Sequence, residues 1–267
     1  MKILFVGDIV GSPGRKMIKK YLPQLKAMYQ PAVTIVNGEN SAGGKGITEK
    51  IAKDLFEMGA QVITLGNHTW DQKDTGEFLN RATNVIRPAN YPQDAPGRGY
   101  TIIKVNQTKI GVINLQGRTY LPPIDCPFKK ADELIQLIRQ ETPIIIVDFH
   151  AEATSEKEAM GWYLDGRVSS VIGTHTHVQT ADERILPKGT AYITDVGMTG
   201  PQNGILGMKK EAIIYRFVTA MPARFEVHKD EPYQLNAVLV TINPETGLST
   251  DIARIRIDQD HPFHAEQ

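Results

Sequence analysis

The chain is expected to adopt an α/β fold, and three observations carry that expectation. Short apolar runs rich in β-branched residues alternate with longer segments of helical spacing, as in βαβ units around a buried sheet. The 267 residues are 41% hydrophobic, enough for one sizeable core. Polar residues fall directly after several of the runs, where the carboxyl ends of parallel strands assemble sites. With neither an internal repeat nor a low-complexity linker, residues 1–267 are expected to form a single domain.

In chain order, strands are expected over residues 3–6, 33–36, 62–65, 99–105, 110–115, 144–149, 169–172 and 191–194. Helices are expected between them. Residues 48–58 place Thr48 as a cap before Ile51, Leu55 and Met58 at helical spacing; residues 130–140 carry Leu134, Ile135, Leu137 and Ile138 on a similar stripe. The carboxyl third changes character. Residues 212–218, 226–227, 235–242 and 249–257 read as strands joined by turns such as Asn243-Pro-Glu-Thr-Gly247, which implies an antiparallel flank to the sheet. Residues 258–267 are mostly polar and expected to fray.

Charge and cysteine content narrow the function. Lysine plus arginine and aspartate plus glutamate both total 30, so no chain-wide basic field exists to hold duplex nucleic acid. The apolar run at the amino end is too short for a signal peptide and is broken by a charge, and no later stretch reaches transmembrane length. Cys126 is the sole cysteine, which excludes internal disulfides and a thiolate metal cage and suits a reducing compartment. A cytoplasmic protein without membrane contact is expected.

The candidate ligands are Asp8, Glu39 with Asn40, Asn67 with His68, His150, and His175 with His177, each group following an expected strand. Loops at that sheet edge converge, so residues distant in sequence would meet. In an extended segment His175 and His177 project to one side, where they can grip one metal or two adjacent ones. Asn67 can offer its amide oxygen to a metal while His68 faces substrate. Glu39 has two oxygens able to bridge cations, and Gly38 lets the backbone turn beside them. Imidazole, carboxylate and amide oxygen together suit iron, manganese or zinc better than calcium. Taken singly, an Asp or Asn after a strand is more often a turn former or cap. Three histidines at one sheet edge tip the balance towards metal. His228, His261 and His264 lack that context and are expected at the surface.

At these residues the sequence resembles the calcineurin-like metallophosphoesterases, whose signature runs Asp-x-His, Gly-Asp-x-x-Asp, Gly-Asn-His-Asp/Glu, a His and Gly-His-x-His. Here Val10 stands where the first His would be, Gly38-Glu39-Asn40 replaces the aspartate motif, Thr69 follows Gly-Asn-His, and Gly173-Thr-His-Thr-His177 has one extra residue. Those variants resemble the YmdB-like branch, through Gly7-Asp-Ile-Val-Gly11, Asn37-Gly-Glu-Asn40, Gly66-Asn-His-Thr-Trp70, Asp148-Phe-His-Ala-Glu152 and Gly173-Thr-His-Thr-His177.

The resemblance implies a calcineurin-like sandwich of four layers, αββα, and a two-metal phosphodiesterase that acts on cyclic nucleotides, including 2′,3′-cyclic ones. It implies iron above all, with manganese or zinc as alternatives, and links to RNA-decay proteins, RNA turnover and biofilm formation; a homo-oligomer is expected. Asp8, Glu39, Asn40 and His177 would hold one metal, and Glu39, Asn67, His150 and His175 the other. The side-chain oxygen of Asn40 would compensate for Val10; a phosphate contact is the competing role for Asn40.

Two cations about 3.5 to 4 Å apart bring the pKa of a shared water near neutrality and clamp the attacking and leaving oxygens, so in-line hydroxide attack on a phosphodiester is expected. His68 is the expected proton donor to the leaving oxygen. Residues 197–204 read equally as a wall of the cleft or a surface turn, and Arg87 and Arg118 are weak candidates for phosphate contact. Two rivals remain. Gly7 to Gly14 could be an imperfect dinucleotide loop, implying a dehydrogenase. The chain could also be a regulatory protein that keeps a metal site without turnover.

Overall fold

The computed structural model describes residues 1–263. Alternation along the first strand already divides the interior, since Ile3 and Phe5 enter one apolar core while Leu4 and Val6 enter another. Strands β1 (Lys2–Val6), β2 (Asp8–Ile9), β3 (Val33–Asn37), β4 (Val62–Thr64) and β5 (Val85–Ile86) are interspersed with helices α1 (Gly11–Tyr29), α2 (Glu49–Glu57) and α3 (Thr75–Arg81). Next come β6 (Tyr100–Val105), β7 (Thr108–Gln116), α4 (Pro127–Ile138), β8 (Ile145–His150), α5 (Thr154–Leu164), β9 (Ser170–Thr174), β10 (Arg184–Ile185) and β11 (Ala191–Ile193). The chain ends with β12 (Met198–Pro201), α6 (Lys210–Thr219), β13 (Tyr233–Ile242) and β14 (Ser249–Ile257).

Two sheets result. The first runs β2-β12-β13-β1-β3-β4-β5 with β14 paired to β13, and the second runs β10-β11-β9-β8-β7-β6. Their centres, β1-β3-β4-β5 and β7-β8-β9-β11, are parallel. The expected antiparallel flank is present: β13 lies between β12 and β1, antiparallel to both, and carries β14. Ile3, Phe5, Ile35 and Val62 of the first sheet share a core with Val112, Ile146, Ile172 and Ile193 of the second. Ile18, Leu22 and Leu25 of α1, with Leu55 of α2 and Leu79 of α3, cover the first sheet's other face; Ile135 and Ile138 of α4 and Met160 and Leu164 of α5 cover the second's.

Each strand expected between residues 3 and 194 forms, with ends shifted by at most two residues. Thr48 caps α2, its hydroxyl accepting from the Ile51 N–H at 3.3 Å. The carboxyl third departs from expectation in three places. Residues 212–218 belong to helix α6, because a β-branched run with no sheet edge beside it satisfies its backbone groups only within itself. At residues 226–227 only one isolated bridge forms, Val227 to Met208. The chain does not fray at 258: the buried Asp258 carboxylate accepts the N–H groups of Asp260 and His261 at 2.9 and 2.7 Å. Residues 264–267, and with them the expectation for His264, lie outside the described residues.

The face between the sheets changes from apolar to polar along its strands. On β8, Ile146 gives way to Asp148 and then His150, all three buried. That polar end positions the site.

Candidate metal centre

Close backbone packing delivers the ligand candidates. A Cβ on Gly7 would lie 1.9 Å from the Gly197 carbonyl oxygen, so only glycine lets β1 turn beside the neighbouring chain and present Asp8. Gly14 is equally confined, since a Cβ there would lie 2.3 Å from the Thr199 carbonyl oxygen. Gly7 and Gly14, which resemble part of a dinucleotide loop, therefore serve close packing against Gly197 and against Thr199 of β12. After β3, the Asn37 side chain accepts the Glu39 N–H at 3.1 Å and the Ser41 hydroxyl donates to the Gly38 carbonyl at 2.7 Å, fixing the turn that carries Glu39 and Asn40. A Cβ on Gly66 would lie 2.3 Å from the His150 ring and 2.4 Å from Glu39 Oε2, so the loop bearing Asn67 also requires glycine.

The seven ligand candidates then converge. His150 Nε2 lies 3.0 Å from each of Asn67 Oδ1, Glu39 Oε1 and His175 Nδ1. The other ring nitrogen, Nδ1, donates to Thr174 Oγ1 at 2.8 Å, and that hydroxyl donates to Asp148 Oδ1 at 2.7 Å. This relay fixes the tautomer that leaves the Nε2 lone pair facing the cluster. Asn40 donates through Nδ2 to the Gly44 carbonyl at 3.1 Å, which turns its Oδ1 towards His177 Nε2, 3.3 Å away. His177 donates from Nδ1 to the Leu206 carbonyl at 3.1 Å, again freeing Nε2. Asp8 accepts the His175 N–H through Oδ2 at 3.2 Å, while its buried Oδ1 has no hydrogen-bond partner.

These donors fit metal ions. The His150 Nε2 lone pair faces the oxygens of Asn67 and Glu39, and the buried Asp8 Oδ1 has no hydrogen-bond partner, an arrangement that a bound cation would satisfy. The ligating atoms of Glu39, His150 and His175 lie within 4.8 Å of one another. Oxygen and imidazole nitrogen around a common point are what a transition metal takes.

Electrostatics agree. Burial raises Asp8 well above the usual carboxylate range, with His150 opposing and Asp195, Glu39 and Asp148 adding to the shift. Burial also lifts Asp148, to about 6. Glu39 is pulled the other way: burial opposes, but the charge and hydrogen bond of His150 hold it at about 2. Burial disfavours charge on His150, yet Glu39, Asp8 and Asp148 outweigh it and raise the ring to about 9. Burial and the neighbouring His150 depress His175 to about 3, and burial lowers His177. Carboxylates crowd together here, and positive charge is drawn to His150.

Several expectations need correction. His175 and His177 are not on an extended segment: β9 ends at Thr174, and both have positive φ, 99° and 66°, so their rings reach different neighbours. Residues 198–201 form the buried strand β12, which pairs with β2 beside Asp8, and residues 202–204 follow as a bend that reaches the surface. Arg87 is buried, its guanidinium donating to the carbonyls of Pro88, Ala95, Pro96 and Gly97, so it staples a loop and has no phosphate role. Val10, in the place of a ligand histidine, packs with Met198 and Val227. His261 is exposed as expected, and His228 is half-buried.

His68 lies beside the cluster, its N–H donating to Glu39 Oε2 at 3.0 Å and its Nδ1 paired with Asp71 Oδ2 at 2.8 Å. Other contacts escaped the sequence reading. Glu152 Oε2 meets His175 Nε2 at 2.9 Å. Asp195 is buried and forms a 2.7 Å ion pair with the equally buried Lys157. Asp195 follows a strand closely, as the ligand candidates do, so the same signal marks it.

The YmdB-like protein family matches residues 4–255. A Bacillus subtilis (strain 168) protein named 2′,3′-cyclic-nucleotide 2′-phosphodiesterase is 59% identical over 98% of this chain and 99% of its own. The crystal structure of a phosphatase from Mycoplasma pneumoniae is 42% identical, with a TM-score of 0.91 over 97% of this chain and 93% of that one. A hypothetical protein from Thermus thermophilus is 38% identical, with a TM-score of 0.90 over 97% of this chain and 99% of that one. On the family match and these relatives, the chain belongs to the YmdB-like family and is a hydrolytic phosphoesterase.

Proposed function

We propose that the protein is a two-metal phosphodiesterase with the calcineurin-like αββα sandwich, one domain over its 267 residues, acting on cyclic nucleotides that include 2′,3′-cyclic ones. The observation that carries this reading is the convergence of Asn67 Oδ1, Glu39 Oε1 and His175 Nδ1 on His150 Nε2, each at 3.0 Å. The activity named for the Bacillus subtilis relative supports the substrate class.

Asp8, Glu39, Asn40 and His177 would hold one metal, and Glu39, Asn67, His150 and His175 the other. Iron is the first choice, with manganese or zinc as alternatives. Bound there, the ions supply a water nucleophile at neutral pH and neutralise charge on the phosphoryl oxygens. Glu39 orients both positions through its two oxygens, one facing His150 and the other held by the His68 N–H. His68 hands a proton to the leaving oxygen, and Asp71 at Nδ1 sets the direction of its ring.

Among the described residues no helix is long and apolar enough to cross a membrane. The proposal places the enzyme in the cytoplasm as a homo-oligomer, with the exposed apolar side chains of α6 as contact surface. It includes the links to RNA decay and biofilm formation that the resemblance implies.

Elemental analysis combined with a panel of cyclic nucleotides and generic phosphodiesters tests the reading. Two transition-metal ions per chain and metal-dependent turnover are expected. Replacing His68 by Ala should lower turnover by about 10²- to 10⁴-fold while metal content stays level. A folded, metal-loaded but inert wild-type chain would instead favour a regulatory metal-binding protein.

A further inference from the structure

We infer that the buried Asp195–Lys157 pair is a positioning device that holds His175 and His177 in the orientations the two metal positions require. The inference rests on the two-metal reading above. Three facts define it. Thr176 stands between two histidines that both adopt left-handed backbone, a conformation side chains other than glycine rarely take. The two rings diverge, His175 Nδ1 towards His150 Nε2 and His177 Nε2 towards Asn40 Oδ1. Asp195 is the group that grips the residue between them.

That grip is complete on the carboxylate side. Asp195 Oδ2 accepts the Thr176 N–H at 3.0 Å, the Thr176 hydroxyl at 2.7 Å and the Lys157 ammonium at 2.7 Å; Oδ1 accepts the Gly197 N–H at 2.8 Å. Asp195 is 0% and Lys157 1% exposed, so the ion pair itself is shielded from water. Gly197 is the residue against which Gly7 packs, one position before Asp8. One carboxylate therefore ties the loop bearing His175 and His177 to the strand bearing Asp8, and α5 supplies the cation that balances it. The divergence of the two histidine rings is thus set from behind the ligand candidates.

Asp195→Asn tests this, because the amide keeps one acceptor oxygen but turns donors towards Thr176 and Lys157. Should the unpaired lysine prevent folding, the double variant Lys157→Met/Asp195→Asn removes both charges and keeps the volume. Metal stoichiometry and affinity, measured by elemental analysis after dialysis against a graded chelator, are the readout beside activity. Folded variant protein is expected to hold its metals about 10- to 100-fold more weakly and to retain fewer than two per chain. Amide exchange on metal-stripped protein should show lost protection at Thr176 in the variant.

A folded double variant that keeps two metals at wild-type affinity overturns the inference, as does unchanged protection at Thr176. If wild type itself holds fewer than two metals, the two-metal reading fails instead. The exchange arm, which needs no metal, then still decides whether Asp195 holds the loop.

Discussion

Around His150 nearly every polar atom has a partner inside the fold, whereas α6 buries only Ile213 and leaves Ile214, Tyr215, Phe217 and Val218 between 50 and 84% exposed. The two regions are opposite in what constrains them. The cluster is fixed by side chains from β2 and β8 and from the loops that follow β3, β4 and β9, which meet across two sheets, so its geometry is over-determined. The helix buries a single side chain against the rest of the fold, and what it presents is an exposed apolar face. The chain thus combines a site held from several directions with a helix face that the fold leaves open.

The largest expected effect comes from breaking the over-determined side. Glu39→Ala removes the carboxylate that meets His150 through one oxygen and the His68 N–H through the other. Turnover of a generic phosphodiester such as bis-p-nitrophenyl phosphate should fall by at least about 10³-fold, the scale expected when electrostatic stabilisation and ligand geometry are lost together. Bound metal should fall with it, while circular dichroism stays native. Retention of both metals and of activity would remove Glu39 from the centre.

The same contrast explains what could be read in advance. Asp8, Glu39, Asn67, His150, His175 and His177 were legible because each follows a run of β-branched residues, and parallel strands bring such ends together whatever the loops do. Tertiary context decided the rest. The run Ala212 to Val218 has strand composition, but strand pairing is a property of neighbours, and none is available to it. Positive φ at His175 and His177 was likewise hidden, since the residue between them bonds to Asp195 from a different strand end. Arg87 looked free because nothing local reveals that the carbonyls of residues 88–97 wrap around it.

An intermediate effect concerns pH. In metal-free protein His150 is raised from 6.5 to about 9, so protonation of its ring stabilises the fold below pH 6.5, and that contribution is lost as pH rises through about 9. Metal binding has the opposite sign, because a ligand imidazole must be neutral. Affinity should tighten by about tenfold per pH unit from 7 towards 9 and level off above, with a proton released on loading. Competition with a chelator at a series of pH values measures this. A flat profile would mean that loading displaces no proton from His150, and the raised ring pKa would fall.

The smallest effect is expected on the open side, and it sharpens the comparison most. Phe217 is 84% exposed on α6, so in an isolated chain Phe217→Ser should change stability by no more than about 0.5 kcal/mol, the range of surface substitutions. Activity per metal-loaded chain should be unchanged, since α6 holds none of the proposed ligands. If copies associate through this face, the same substitution should weaken assembly and shift light-scattering mass downward at a given concentration, with thermal stability losing its dependence on concentration. A large loss of stability in dilute, monomeric protein would show that α6 is packed more tightly than its exposure implies, and the division between a fixed centre and an open helix would fall.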